Sequence, residues 1–155
     1  MIENAEELAE AIKLRPTHIA ICLQRIARFN GQHALSNVLV HSLDVAMRLE
    51  RQGHPVAVVT WGLLHDAHEL LTGDVARHYK LKALTHMQHA IDEIVMRELS
   101  LAISFEEMQI VNAADTESGN DERHYGDDVK YYQVEDEPIQ QFVDLVHRWL
   151  DHVSQ

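Results

Sequence analysis

The stretch GLLHDAHELLTGD, residues 62–74, places side chains that can bind metal ions and move protons directly after an apolar segment. His65 and Asp66 are adjacent, and Glu69 and Asp74 follow shortly after. Because a helix turns by about 100° per residue, His65, Asp66 and Glu69 share one arc, with Glu69 one turn further along. Imidazole and carboxylate groups that converge at a helix end can bind a divalent cation. The pair alone is a weak signal, since a chain with 12 histidines contains about one His-Asp pair by chance.

Two further polar residues fall on apolar faces of predicted helices. His41 lies between Val38 and Val45 on one inward stripe. Asp115 falls on another predicted inward stripe, with Phe105, Met108 and Val111. Burying an unpaired polar group costs about 1–3 kcal/mol, and an ionised carboxylate costs far more. A structural hydrogen bond would explain either residue alone, whereas one cation shared with the His-Asp pair would explain both.

The four side chains together would supply two imidazole nitrogens and two carboxylates from three helices. Such a mixed site leaves coordination positions for water and substrate. It suits one divalent transition metal, namely Mn, Co, Zn, Ni or Fe, and suits Mg less well because two ligands are nitrogen.

Helices are the elements that must position these groups. Apolar residues recur at helical spacing almost throughout, and the chain has only 3 prolines and 6 glycines. The pattern predicts an all-α single domain, a bundle of about six to seven helices. The predicted helices cover about 3–14, 18–28, 35–51, 56–71, 83–99, 105–118 or beyond, and 139–153.

Local signals predict where several helices begin and end. Thr17 is the predicted N-cap of the second helix, and Gly31 can serve as the residue just after its end. Ser104 and Glu107 form a capping-box pattern before the sixth helix. The polar segment 118–138 predicts a helix end followed by a surface loop. The last helix carries one apolar stripe, which fits an oligomer interface and packing within one subunit equally well: Ile139, Phe142, Val143, Val146, Leu150 and Val153.

Composition limits the classes of function. The 155 residues suffice for one domain with a core of its own. The formal net charge of −12 argues against a protein that binds long nucleic acid, although a bound cation can attract a small anionic substrate. The acidic N-terminal stretch and the short apolar runs predict neither a signal peptide nor a membrane span, so we expect a soluble cytoplasmic protein.

Three segments together resemble a known family. The order of His41 in VLVHSLDVAM, His65-Asp66 in GLLHDAHELLTGD and Asp115 in VNAADTESGNDER resembles the H…HD…D pattern of HD-domain phosphohydrolases. More narrowly, HDAHELLTGD followed by Lys80, together with RFNGQ at 28–32, is similar to the small 5′-deoxynucleotidase branch. The same segments resemble phage-borne relatives of that branch that act on deoxynucleoside triphosphates. The resemblance extends over about residues 25–123, most of the chain.

The resemblance implies one HD-type domain over 1–155 and three groups of site residues. The implied residues are the metal ligands His41, His65, Asp66 and Asp115, the catalytic residues Glu69 and Asp74, and the substrate-binding residues Arg28, Phe29 and Lys80. Arg28 and Lys80 would contact phosphate, and the Phe29 ring would stack on the base or sugar. His33 is placed in a loop at the pocket mouth, because the residues around His41 fit the first ligand position better. The segment VARHYK lacks the prolines that usually follow the family's aspartate.

His68 lies on the same stretch but points away from His65 and Asp66 on a helical projection. The projection predicts a supporting or surface role for His68 in place of metal ligation.

The implied activity is hydrolysis of the 5′-phosphate ester of a deoxynucleotide. Attack on the phosphorus next to the sugar serves monophosphates and triphosphates alike. Only Arg28, Arg77 and Lys80 are evident positive groups near the motifs, which favours deoxynucleoside 5′-monophosphates over triphosphates. The alternatives are a triphosphohydrolase, an HD-type module that senses a nucleotide without hydrolysis, and a helical interaction protein with surface histidines.

Overall fold

Helices build the fold. The computed structural model describes residues 1–31, 36–124 and 136–155, and these ranges contain no β-strand. Their longer helices are α1 Ala5–Leu14, α2 Pro16–Gln24, α3 Val38–Arg51, α4 Val56–Leu64, α6 Lys82–Glu98, α7 Phe105–His124 and α8 Asp136–Val153. A one-turn helix, α5 Glu69–Thr72, and two 3-10 turns, Arg28–Gly31 and Arg77–Tyr79, complete the described elements. The all-α prediction is confirmed.

Helix α3 is central and packs against α2, α4, α7 and α8. Its N-terminus is capped by the side chain of Asn37, which accepts a hydrogen bond from the Val40 N–H at 2.9 Å. Apolar residues at helical spacing bury the inward face: Val38, Leu39, Leu43, Val45, Ala46 and Leu49. His41 lies on that same face and is 1% exposed, so α3 carries a polar side chain into the core.

Helix α4 is apolar on all sides and is buried from Val58 to Leu64. It lies very close to α3, as the space at Gly62 shows: a Cβ atom there would stand only 2.3 Å from Cδ1 of Leu49. The absence of a side chain at Gly62 thus brings the end of α4 next to the His41 face. In the described part of the chain, no helix is both long enough and apolar enough to cross a membrane.

Helix α2 begins two residues earlier than the capping signal predicts. Arg15 is the N-cap residue, with an extended φ of −147°, and Pro16 is the first helical residue. Proline favours this position because its fixed φ suits the first turn and its missing N–H is not needed there. The prediction of Thr17 as the N-cap was therefore wrong.

Helix α2 also ends at Gln24, well before the predicted end at Arg28. The chain beyond it pairs with the segment that leads into α3. The Arg28 N–H donates to the Ser36 carbonyl and the Val38 N–H donates to the Ile26 carbonyl, both at 3.0 Å. These long-range hydrogen bonds replace helical ones and hold Arg28 beside the start of α3.

The predicted helix 56–71 is divided in the structure. Helix α4 ends at Leu64, and the chain tightens into turns with hydrogen bonds between residues three apart, such as the Glu69 N–H to the Asp66 carbonyl at 3.0 Å. His65 accounts for the change, because its Nδ1 donates to the Gly62 carbonyl at 2.7 Å. In an unbroken helix, that carbonyl would accept a hydrogen bond from the N–H of Asp66. Helix α5 then forms a single turn from Glu69.

The later helices largely follow their sequence signals. The Ser104 and Glu107 capping box is confirmed, with hydrogen bonds of 2.8 and 3.2 Å. Helix α7 continues to His124, so the first part of the predicted loop 118–138 is helical; residues 125–135 lie outside the described ranges.

The apolar stripe of α8 is mostly buried within this chain. Ile139, Phe142, Val143 and Val146 are buried, whereas Val153 is 41% exposed. Helix α8 packs on α2, α3 and α4, and the indole Nε1 of Trp149 donates to the Leu99 carbonyl at 2.9 Å. Packing within one subunit thus accounts for the buried part of the stripe.

Candidate metal and phosphate site

Three elements bring the four predicted metal ligands together. His41 comes from α3, His65 and Asp66 from the turn after α4, and Asp115 from α7. The Nε2 atom of His41 lies 3.0 Å from Oδ1 of Asp115 and 3.6 Å from Oδ2 of Asp66. The Nε2 atom of His65 lies 3.3 Å from Oδ2 of Asp66 and 3.8 Å from Oδ1 of Asp115. His41, His65 and Asp115 present ligand atoms within 4.8 Å of one another, a group that can hold a metal ion.

The hydrogen bonding of His65 suits metal ligation. Its Nδ1 must carry the proton, because the Gly62 carbonyl 2.7 Å away can only accept. In the neutral ring that binds a metal, the lone pair is therefore on Nε2, which is buried and makes no hydrogen bond to any part of the chain that the structure describes. A buried acceptor directed at a histidine and two carboxylates is what a cation would satisfy.

His41 is held from both sides by carboxylates. Its Nδ1 lies 2.5 Å from Oε1 of Glu122, and its Nε2 faces Asp115. Burial alone would lower the pKa of His41, but the hydrogen bonds to Asp115 and Glu122 outweigh it and raise that pKa. The carboxylates around His41 therefore favour its protonated form in the metal-free site. A cation would take the place of the Nε2 proton and leave Nδ1 bonded to Glu122.

The charges of the site are strongly coupled. Burial opposes ionisation of His65, but the charge of Asp66 and the proximity of Asp115 raise its pKa to about 9. Burial opposes ionisation of Asp115, but its hydrogen bonds to His41 and His65 hold its pKa far below the ordinary value. Without a metal ion, the carboxylates of the site thus favour the protonated form of both imidazoles.

Glu122 is a functional candidate that was not predicted from the sequence. Besides His41, its carboxylate contacts Ser36 Oγ and accepts from Arg28 Nε at 2.9 Å. Burial opposes ionisation, but the hydrogen bond to His41 and the charge of Arg28 lower the pKa of Glu122 to about 2. Its spacing of seven residues from Asp115 was an available signal, because residues two turns apart lie on nearly the same helix face.

Arg28 and Phe29 lie at the same side of the site. The Arg28 guanidinium donates to Glu122 and reaches Oδ2 of Asp66 at 3.5 Å. It also lies 5.2 Å from the centre of the Phe29 ring, in a cation–π arrangement. Phe29 adopts a left-handed φ of 53°, and its N–H donates to Oδ2 of Asp74 at 3.3 Å. This hydrogen bond joins two predicted site residues that are far apart in sequence.

Glu69 is almost fully buried, with 3% exposed, beside the predicted ligands. Its Oε2 atom makes no hydrogen bond to the residues in the described ranges. Burial and the charges of Asp66 and Asp74 raise the pKa of Glu69 to about 9, although Lys80 opposes the shift. The surroundings of Glu69 therefore favour its protonated form, and a cation bound nearby would favour its ionised form.

A pocket of about 550 Å³ opens over these groups. Both predicted catalytic residues and all three predicted substrate-binding residues line it, together with Asp66 and Asp115. The volume falls in the usual range for small-ligand sites. Arg77 is also on the rim: its side chain is 81% exposed, with Nη2 3.9 Å from Oδ2 of Asp115. His33, the residue placed at the pocket mouth from sequence, lies outside the described residues.

His68 is buried at 6% exposure, so the surface alternative for this residue was wrong. Its Nδ1 lies 2.8 Å from Oδ1 of Asp92 on α6. Asp66, His68 and Glu69 form a second group whose ligand atoms lie within 4.8 Å of one another. The helical projection failed here because the chain from 65 to 68 is a tighter turn and not an α-helix.

The site thus combines a buried group of cation ligands, an open pocket and positive side chains at the pocket wall. Such a combination is suited to binding an anionic ester next to a cation. Comparison with models of known protein families and with curated protein sequences finds no match to this chain.

Proposed function

We propose that this protein is a divalent-metal-dependent phosphohydrolase of the HD-domain type that releases phosphate from deoxynucleoside 5′-monophosphates. The observation that carries the proposal is the approach of Nε2 of His41 and Nε2 of His65 to the carboxylates of Asp66 and Asp115 beneath one open pocket. The chain's resemblance to the 5′-deoxynucleotidase branch, in the segments around these residues, supports the choice of substrate.

His41, His65, Asp66 and Asp115 would hold one transition-metal ion such as Mn, Co, Zn, Ni or Fe. The fit rests on the donor set and on the buried Nε2 of His65, which lacks a hydrogen bond within the described chain. When bound, the cation would polarise the phosphoryl oxygens and make a nearby water more acidic.

The pocket residues would carry the rest of the reaction. Water attacks the phosphorus, the bond from phosphorus to the sugar 5′ oxygen breaks, and that oxygen takes up a proton. Glu69 and Asp74 both line the pocket, and they would accept the proton of the attacking water and supply the one that the leaving oxygen needs. Arg28 and Lys80 would offset the charge on the phosphoryl group, and the Phe29 ring would lie against the base or sugar.

Release of triphosphate from deoxynucleoside triphosphates is the second candidate. Arg77 favours it, because this largely exposed side chain lies on the pocket rim and adds a positive charge beyond the ligand group. Both reactions break the bond next to the sugar, so the same catalytic groups would serve. The released product separates them: inorganic phosphate in one case and triphosphate in the other.

The test is a screen of the purified protein against nucleoside mono-, di- and triphosphates, with Mn, Co, Zn or Mg added. We expect a deoxynucleoside and inorganic phosphate from the monophosphates, and no product from an Asp115→Asn variant assayed in parallel. A metal-loaded protein that binds nucleotides yet releases no product would support a sensing module. A protein that binds neither metal nor nucleotide would support a helical interaction protein.

A further inference from the structure

The hydrogen bonding of His68 is that of a histidine prepared to bind a cation. Its Nδ1 donates to Oδ1 of Asp92 at 2.8 Å, which leaves the lone pair on Nε2. This Nε2 is buried and makes no hydrogen bond to the part of the chain that the structure describes. Metal-binding histidines characteristically donate their other N–H to a carboxylate, which sets the tautomer and the ring orientation.

Glu69 presents a second buried acceptor at the same place. The residue is 3% exposed, and its Oε2 is likewise without a hydrogen bond from the described residues. Ligand atoms of Asp66, His68 and Glu69 all lie within 4.8 Å of one another. Nε2 of His68 and Oε2 of Glu69 are thus two buried polar atoms without a hydrogen bond from the described residues, and they belong to one small group of ligands that a cation could satisfy.

A structural role for the His68–Asp92 pair explains only part of this arrangement. The hydrogen bond to Asp92 ties α6 to the turn after α4 and satisfies Nδ1. It leaves both the Nε2 of His68 and the Oε2 of Glu69 to be explained. A shared cation would satisfy these two atoms together.

We propose that Asp66, His68 and Glu69 hold a second divalent cation, beside the one held by His41, His65 and Asp115, with Asp66 bound to both. The sharing of Asp66 rests on the proposed function, in which this residue is a ligand of the first ion. One imidazole and two carboxylates suit Mn, Fe, Co or Zn. Asp92 would be a positioning residue that orients His68 through its Nδ1.

The second ion would separate the roles of the two pocket carboxylates. Glu69 becomes a ligand, so Asp74 is the carboxylate that remains to exchange protons with water and the leaving oxygen. Two adjacent cations can stabilise the attacking and the leaving oxygen of an in-line displacement at phosphorus. The site would then be a two-metal centre.

The experiment measures metal stoichiometry independently of activity. Protein stripped with chelator is dialysed against Mn²⁺ or Zn²⁺, and bound metal is counted by elemental analysis for wild type, His68→Gln, Glu69→Gln and His86→Gln. His86 is an exposed histidine on α6 and provides the matched control. We expect two ions per chain in wild type and in His86→Gln, and one in each of the other two variants. Electron paramagnetic resonance should show coupled Mn²⁺ spins in wild type and in His86→Gln, and uncoupled Mn²⁺ in the other two variants.

Asp92→Asn adds a milder test that does not remove a ligand. It should weaken binding of the second ion about 10–100-fold and leave the first unchanged. Circular dichroism and melting curves of each variant separate loss of a site from loss of the fold. One ion in wild type that persists in His68→Gln, or two ions in His68→Gln, would overturn the second site alone. No bound ion in folded wild type would instead overturn the proposed function.

Discussion

Oε1 of Glu122 on α7 lies 2.5 Å from Nδ1 of His41 on α3, and this contact joins the predicted metal centre to the pocket wall. The other oxygen of the carboxylate accepts from Nε of Arg28 at 2.9 Å. Glu122 therefore orients a ligand and a phosphate-binding candidate at once. Carboxylates in this position usually influence metal affinity nearly as much as the ligands do.

Glu122→Gln should weaken metal binding about 10–100-fold, because an amide is a poorer acceptor for the His41 N–H and carries no charge for Arg28. Competition with a fluorescent chelator measures the change in affinity. Glu117→Gln, on an exposed part of α7, is the matched control and should bind metal as wild type does. Equal affinities in the two variants would remove Glu122 from the site.

Asp66→Ala and Glu69→Ala should have different effects. Asp66→Ala should abolish metal binding and activity together, because Asp66 contacts both histidines of the proposed centre. Glu69→Ala should retain the ion at His41, His65 and Asp115 and lose turnover. Elemental analysis and phosphate release are measured on the same samples. Full activity in Glu69→Ala would remove this residue from the reaction.

The stability of the metal-free protein should fall between pH 7 and pH 9. The pKa of His65 is raised from 6.5 to about 9 in the folded state, and that of Glu69 from 4.5 to about 9. A group with a raised folded-state pKa stabilises the fold fully below its unfolded pKa, and that stabilisation is lost as the pH rises through the folded value. Both groups therefore act in the same direction.

The metal-loaded protein should lose less stability over the same interval. A cation replaces the protons on the site, so its binding tightens as the pH rises and compensates for the loss. Melting temperatures of chelator-treated and Mn²⁺-loaded protein at pH 7, 8 and 9 should diverge. If the melting temperatures of the two samples changed in parallel with pH, the exchange of protons for a cation at this site would be contradicted.

Arg28→Lys should lower kcat/KM about 100-fold with little change in melting temperature. A single ammonium cannot reproduce the guanidinium that reaches Glu122 with Nε and Asp66 with Nη1. Steady-state kinetics on the substrate identified in the screen measures the effect. Arg97→Lys, at an exposed position of α6, should leave the kinetics unchanged.

Phe142→Ala should reduce the free energy of unfolding by about 3–5 kcal/mol, because Phe142 is fully buried where α8 packs on the core. Val153→Ala, at the exposed end of the same stripe, should change it by less than about 0.5 kcal/mol. Urea denaturation measures both values. A small loss for Phe142→Ala would mean that α8 contributes little to the stability of the core.

The positions of the helices and most of their inward faces could be predicted from the sequence pattern, although Phe105 of the predicted α7 stripe is 72% exposed. Periodicity is a local property, so the faces of α3 and α8 and the Ser104–Glu107 cap could be predicted without a tertiary fold. The same reasoning placed His41 and Asp115 on buried faces and so suggested that they meet. In the structure their Nε2 and Oδ1 atoms lie 3.0 Å apart.

The detailed assembly of the site depends on contacts between elements that are far apart in the sequence. The end of α4 depends on His65 taking the Gly62 carbonyl, and the end of α2 depends on pairing with the segment before α3. The contacts of Glu122 with His41 and of Asp92 with His68 join residues from different helices. Periodicity can place such residues on a helix face, but it does not specify which side chains of two facing helices touch, because helix packing sets those contacts.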